Sequence, residues 1–321
     1  MSITRARDQM KQTILLFQSL GIEKKAIHVL INEAGIDLWP VWMDQDDSGS
    51  PDDVLAIVNV NTPMNRKLLD KYVNLKVISI AFTGYDCVDI DFCRERKIAV
   101  YNVPEYSTDS VAELTLANAI SLLRGIPAAN HDIRNGQWLS NGPGNELAGK
   151  TIGILGTGAI GIRVAQLFKA FKCNLVGWSR SRRSAFTVLG GRYVKSIRDV
   201  CSQCDILSIH LPLTRETTGI VGKAELANLP GHAYIINTAR AAVVDQDALV
   251  EVLVANSIAG AAIDVFESEP ISNQNRLLIT KNTILTPHIG YFTMEALSRR
   301  AKIAVANLQR FFSNDSANRV I

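Results

Sequence analysis

The chain has 321 residues, 47% hydrophobic and 20% charged, enough for two domains that each close a core. Thirty-four Lys and Arg against 31 Asp and Glu leave a formal charge of +3, too little for the basic footprint of a nucleic-acid binder; the expected partner is a small molecule or another protein. No apolar run reaches the roughly 18 residues of a membrane span, and the apolar stretch at 14–17 is too short for a signal-peptide core, so a cytoplasmic protein without membrane contact is expected.

In chain order, short apolar runs alternate with helix-length segments: QTILLF (12–17), VLAIVNV (54–60), KVISIAF (76–82) and KIAVYNV (97–103). After these come TIGILG (151–156), NLVGW (174–178), DILSIH (205–210), AYIINT (233–238), GAAIDVF (260–266) and NTILTPH (282–288). That alternation predicts α/β architecture with parallel sheets. Two longer amphipathic stretches, Ser107 to Gly125 and Thr293 to Phe312, read as interdomain helices. Residues 106–290 are then one domain, and 1–105 with 291–321 the other, which is discontinuous. The linker-like stretches are Asp44 to Asp53 and Ser140 to Gly149. The five cysteines lack disulfide spacing and read as reduced thiols; Cys201 and Cys204 form a lone CxxC that reads as the end of a short helix, and no metal site is expected.

Between TIGIL and a helical pattern lies GTGAIG, with NLVGW following, a complete βαβ unit. Gly156 suits the tight turn, Gly158 a close backbone approach to a pyrophosphate, and Gly161 close packing of helix on strand, the features of a dinucleotide site. Ligands in open α/β sheets sit beyond the carboxyl ends of the strands, and three charged residues stand there: Arg240 after AYIINT, Glu269 after GAAIDVF and His288 after NTILTP. A hydride transfer to a carbonyl needs a proton donor and a cation on the substrate. His288 oriented by Glu269 suits the first role, and the planar fork of Arg240 suits the second. His28, His131, His210 and His232 read as structural, the first, second and fourth for want of a carboxylate-and-arginine context.

Where an NAD-specific unit ends its second strand on an acid, this one runs into Ser179, Arg180, Ser181, Arg182 and Arg183. An acid would repel a 2′-phosphate, whereas hydroxyls and guanidinium forks match it, so NADPH is expected in preference to NAD.

The segments GTGAIG, HLPLTRETTG, INTARAAVVDQDAL, AAIDVFESEP and LTPHIG resemble the D-isomer-specific 2-hydroxyacid dehydrogenase family, as do AFTGYDCVDID and NVPEYSTDSVAEL. The resemblance implies two Rossmann-like doubly wound domains, a flavodoxin-like substrate domain built from both termini and a dinucleotide domain, with the active site in the cleft between them. It implies reduction of a small 2-oxoacid such as hydroxypyruvate, glyoxylate or pyruvate, with a D-lactate-type dehydrogenase and a dinucleotide-sensing co-repressor as the competing readings. It places the family's catalytic trio on Arg240, Glu269 and His288, and its nicotinamide-side aspartate on Asp264. Cofactor contacts fall on Thr83, Thr108, Ala159, Ile160, Thr217, Thr238, Ala239 and Gly290, besides the glycines and Ser179, Arg180, Ser181 and Arg183. Substrate falls on the backbone at Thr83 and Gly84, with Arg240 and His288. Members are usually homodimers joined through the nucleotide domain, and Ser107 to Trp138 lies where the partner would embrace it. Glu269 argues against formate, and NVNTP (59–63) lacks the basic residue of phosphoglycerate members. Cys87 and Tyr291 depart from the family pattern and bear on pocket shape.

Overall fold

The computed structural model describes residues 12–44, 50–138 and 142–321. Parts of both linker-like stretches (45–49 and 140–141) lie outside the described residues. The chain divides into two compact units, Met1–Tyr106 with Thr293–Ile321, and Ser107–Phe292. The sequence boundaries at 105/106 and 290/291 differ from these by one and two residues.

Among the described residues the first unit carries β1 (Thr13–Leu16), β2 (Trp39–Trp42), β3 (Val54–Asn59), β4 (Val77–Ile80) and β5 (Ala99–Tyr101). They form one sheet in the order β2-β1-β3-β4-β5, parallel throughout. This is the flavodoxin-like order, whose switch point lies between β1 and β3. β2, sequence WPVW, is the element that the apolar-run reading misses. It is short and contains Pro40, which has no N–H for a ladder, and its place at the sheet edge is where a strand tolerates that. The helix Met294–Phe312 belongs to this unit. It is capped by the Thr293 side chain, which accepts from Ala296 N, and it buries Leu297, Ala301, Ala304, Val305 and Leu308. Ser79 Oγ of β4 donates to Ala304 O at 2.9 Å, and buried Asn307 donates to Asn102 O at 2.7 Å. The last residues return to β5, with Val320 N donating to Val100 O at 2.7 Å.

The second unit carries β6 (Thr151–Leu155), β7 (Asn174–Trp178), β8 (Arg192–Tyr193), β9 (Ile206–Ile209), β10 (Tyr234–Asn237), β11 (Gly260–Ile263) and β12 (Thr283–Leu285). Their order is β12-β11-β10-β9-β6-β7-β8, all parallel, a doubly wound Rossmann sheet that reverses between β6 and β9. β8, two residues long, is too short to register as an apolar run. The apolar runs are continuous because both faces are covered. Ile152, Ile154, Ile206, Ile236 and Ala262 pack into one core, and their neighbours Leu155, Leu207, Ile235, Ala261 and Ile263 into the other. The helix Thr108–Arg124 lies in this unit and ends at Gly125, whose φ of 59° is the left-handed conformation that glycine adopts at no steric cost. Among the described residues no helix is long and apolar enough to cross a membrane.

Candidate active site

At the switch point, β6 delivers GTGAIG. Gly156 has φ 92°, and a Cβ there would stand 2.6 Å from the carbonyl oxygen of His210, so the turn passes close against the end of β9. A Cβ on Gly161 would collide with the Gly156 carbonyl, which is how close the helix Ala159–Ala170 sits to the strand end. Gly158 differs: nothing lies within 4 Å of where its Cβ would be, and it begins that helix without a side-chain cap. The first-turn N–H groups of Ala159, Ile160 and Gly161 thus lead to open space at a positive helix end, a cradle that fits a pyrophosphate.

The turn after β7 places Ser179 half-buried and Arg180, Ser181, Arg182 and Arg183 exposed. Glu216 is exposed opposite. The Thr214 side chain holds its carboxyl below the ordinary range, helped by the charges of Arg180 and Arg215. Thr217 turns its hydroxyl into its own loop, donating to Pro212 O at 2.5 Å. Thr238 is buried with its hydroxyl 3.3 Å from that of Thr115, facing the Thr108–Arg124 helix rather than the strand ends, and Ala239 is half-buried beside it. Thr108 is the first residue of that helix.

Arg240, Glu269 and His288 come together beyond β10, β11 and β12. Asn237, fully buried at the end of β10, accepts from Ala239 N at 3.0 Å and donates to Arg240 O at 3.0 Å. This Asx-type turn aims Arg240, a positioning role that the sequence reading did not assign to the asparagine of INTAR. Glu269 Oε1 accepts from Phe266 N at 3.1 Å, and Oε2 lies 2.7 Å from His288 Nδ1. A carboxylate only accepts, so the Nδ1 hydrogen lies in that contact and Nε2 is the atom left to serve a substrate. Burial raises the proton affinity of Glu269, but the His288 and Phe266 hydrogen bonds and the charges of His288 and Arg240 outweigh it, and the carboxyl sits below its usual range.

His288 itself has φ 53°, an uncommon conformation for a side-chain-bearing residue, and its loop is held from below. Asp264, fully buried after β11, accepts from Thr286 Oγ1 at 2.6 Å, Ile289 N at 2.8 Å and Gly290 N at 2.8 Å. Burial pushes the Asp264 carboxyl up despite those donors. Asp264 therefore clamps the His288 loop, and the sequence reading missed its partner Thr286 altogether. Tyr291 packs against His288 with ring centroids 5.7 Å apart and planes at 80°.

In the first unit, Thr83 is exposed with its hydroxyl donating to Val103 O at 3.1 Å and its carbonyl accepting from Asn102 at 2.7 Å; Gly84 follows, half-buried. Asn59 donates to Thr62 O at 2.9 Å and lies 3.7 Å from Cys87 Sγ, so Cys87 packs against the NVNTP loop.

Burial drives His210 down to about 3 and leaves a neutral ring 2.7 Å from Ser208 Oγ, a structural arrangement. His232 has a carboxylate beside it, its Nε2 lying 3.1 Å from Asp205 Oδ1. No local pattern signals this pair, since His232 and Asp205 meet only through the adjacent β9 and β10. Cys201 ends the helix Ile197–Cys201, and burial pushes its thiol up to about 12 and that of Cys204 higher still, the opposite of a reactive pair. Among the described residues no three His, Cys, Asp or Glu are grouped to hold a metal ion.

A doubly wound sheet with a phosphate cradle at its switch point, and a histidine, carboxylate and arginine at neighbouring strand ends, defines a dinucleotide-dependent oxidoreductase. Residues 116–290 match the NAD-binding domain of the D-isomer-specific 2-hydroxyacid dehydrogenases, and the chain belongs to that family. It is 39% identical over 252 residues to a glyoxylate reductase of Aeropyrum pernix, covering 76% of this chain and 75% of that one. A glyoxylate reductase of Thermococcus litoralis is 35% identical over 314 residues, covering 92% and 93%. D-lactate dehydrogenase of Aquifex aeolicus, solved with NAD and lactic acid, superposes with a TM-score of 0.85 at 27% identity, covering 96% and 99%.

Proposed function

We propose that this protein reduces a small 2-oxoacid, of the glyoxylate or hydroxypyruvate kind, to the D-2-hydroxyacid, with NADPH preferred over NADH. The observation that carries the reading is the 2.7 Å contact of His288 Nδ1 with Glu269 Oε2, which leaves Nε2 to meet a carbonyl oxygen. When bound, the reduced nicotinamide supplies the hydride. Nε2 of protonated His288 delivers the proton that the nascent alkoxide needs, and in the reverse direction it takes that proton back. Glu269 holds the ring in the Nδ1–H form and so keeps Nε2 for the substrate. The guanidinium of Arg240 grips the substrate carboxylate and stabilises charge developing on the carbonyl oxygen. The first unit takes the substrate-domain role, and Asp264 keeps the His288 loop in register. The glycine loop with Ala159 and Ile160 receives the pyrophosphate, and Ser179, Arg180, Ser181 and Arg183 the 2′-phosphate, since β7 does not end on an acid and the charge of Glu216 opposite is offset by Arg180 and Arg215.

The reading extends to a homodimer formed through the second unit. Support comes from the helix Ile126–Arg134 and the segment after it, which expose Ile126, Ile133 and, at 92%, Trp138. Sedimentation at micromolar concentration should give twice the 35.2 kDa chain mass. The central test is kcat/KM for glyoxylate, hydroxypyruvate and pyruvate with each reduced cofactor. Turnover of one of the first two with NADPH ahead of NADH is the expected result; turnover of none, or a preference for NADH, overturns the corresponding half of the proposal.

A further inference from the structure

Tyr193 joins two loops that the sequence reading treated separately. It comes from β8, a two-residue strand on the far edge of the second unit's sheet, paired with Gly177 of β7. Its hydroxyl lies 2.6 Å from Oγ1 of Thr157, which is 1% exposed in the middle of the glycine turn, and accepts from the backbone N–H of Arg183 at 2.9 Å. A phenol has one hydrogen. The Arg183 N–H contact uses the oxygen as acceptor, and the hydrogen serves Thr157 Oγ1 at 2.6 Å or the Arg183 carbonyl oxygen at 3.5 Å, so each contact ties the hydroxyl to one of the two loops. The ring supports the same turn from below, with the Arg182 guanidinium 5.5 Å from its centroid. The ring is fixed in turn by fully buried Phe186, 4.9 Å away. Phe186 cannot yield, because Gly177 and Gly191 lie so close that a Cβ on either would come within 2.8 Å of its ring.

We infer that Tyr193 is a positioning residue for cofactor choice, holding the Ser179–Arg183 turn at a fixed distance from the glycine loop so that its hydroxyls and guanidinium groups converge on the 2′-phosphate of NADPH. The inference rests on the NADPH reading above and deepens it. In this arrangement Tyr193 acts through Arg183 N and Arg182. The turn is otherwise exposed, and long arginine side chains on an unanchored backbone lose much of their pull to conformational freedom. An anchor on the backbone reduces that loss for every side chain of the turn at once. The effect is confined to the adenosine end, since the strand ends bearing Arg240, Glu269 and His288 belong to β10, β11 and β12.

The test compares binding of 2′,5′-ADP and 5′-AMP to the full-length protein by calorimetry, a readout independent of turnover. Tyr193→Phe keeps the ring on Phe186 and under Arg182 and removes only the hydroxyl. It should weaken 2′,5′-ADP by about three- to tenfold, the effect of one lost hydrogen bond, and 5′-AMP by less than about twofold. In an Arg180→Ala background the same change should cost 2′,5′-ADP less than in the wild type, because a turn already missing its cation has less to position. KM for NADPH should rise by the same factor as the 2′,5′-ADP constant while kcat moves little. A variant that discriminates between the two nucleotides as well as the wild type does, or that loses both equally, overturns the inference and leaves the NADPH reading in place. A wild type that binds 2′,5′-ADP no tighter than 5′-AMP overturns the NADPH reading itself.

Discussion

Arg240, Glu269 and His288 divide the proposed chemistry, and their substitutions should separate by readout. Arg240→Ala removes a charge-assisted two-point contact and the polarising charge, and kcat/KM should fall by about 10²–10³ with 2′,5′-ADP binding unchanged. Arg240→Lys should recover only part of the loss, because an ammonium restores charge without the planar fork. Glu269 has the testable pH dependence. Its carboxyl is depressed in the folded chain, so its favourable contact with His288 is complete above the ordinary carboxylate value of about 4.3 and is lost only as pH falls through the lower folded value. The acid limb of the reductive rate should therefore lie below about pH 4.3 in the wild type and vanish in Glu269→Gln. A pH–rate profile measured with chemistry rate-limiting reads that limb, and an acid limb that persists unchanged in Glu269→Gln would dissolve the proposed partnership.

Among the elements, the glycine turn and its helix make a sharp contrast. Gly161→Ala forces a methyl group into the Gly156 carbonyl, backbone against backbone, and should destabilise the second unit by about 1–3 kcal/mol or more, the range of core overpacking. Gly158 has φ −73° and open space where its Cβ would stand, so Gly158→Ala should melt like the wild type. Its added methyl occupies the cradle instead, and the expected result is weakened binding of 2′,5′-ADP and 5′-AMP alike. Thermal melts beside calorimetry separate a glycine needed by the fold from one needed by the ligand. The terminal helix shows the complementary case of an element whose sequence signals all agree: Thr293 at the cap, an apolar face at helical spacing and Arg310 in the last turn.

For the molecule as a whole, the discontinuous first unit has a consequence. The helix Met294–Phe312 supplies that unit's core with Leu297, Val305 and Leu308, each worth about 1.5–3 kcal/mol on burial, with the buried alanines between them. Against a typical total stability of about 5–15 kcal/mol, the first unit should not survive their loss. Truncation after Phe292 should leave a cooperatively melting second unit that still binds 2′,5′-ADP. The near-ultraviolet signal of Trp39 and Trp42, which the intact first unit half-buries and buries respectively, should collapse. A single unchanged melting transition with that signal intact would contradict the assignment of the helix to the first unit.

Much of this was determined by the sequence alone, for reasons that act over a few residues. Strands buried on both faces must be continuous apolar runs, so all but β2 and β8 were legible; those two are missed because an edge strand with a proline and a two-residue strand carry no such run. The glycine turn, the basic turn without an acid, and the charges after the strand ends are likewise local. Tertiary structure alone decided which of them meet. Glu269 and His288 are 19 residues apart, and Thr157 and Tyr193 are 36 apart, and each pair is joined only because parallel strands return to one edge through crossovers. The same holds for Asp264, which the sequence offered as a cofactor contact and the fold made the clamp of the His288 loop. A hydrogen bond needs its partners within about 3 Å, a condition that no local pattern encodes and only the packed sheet imposes.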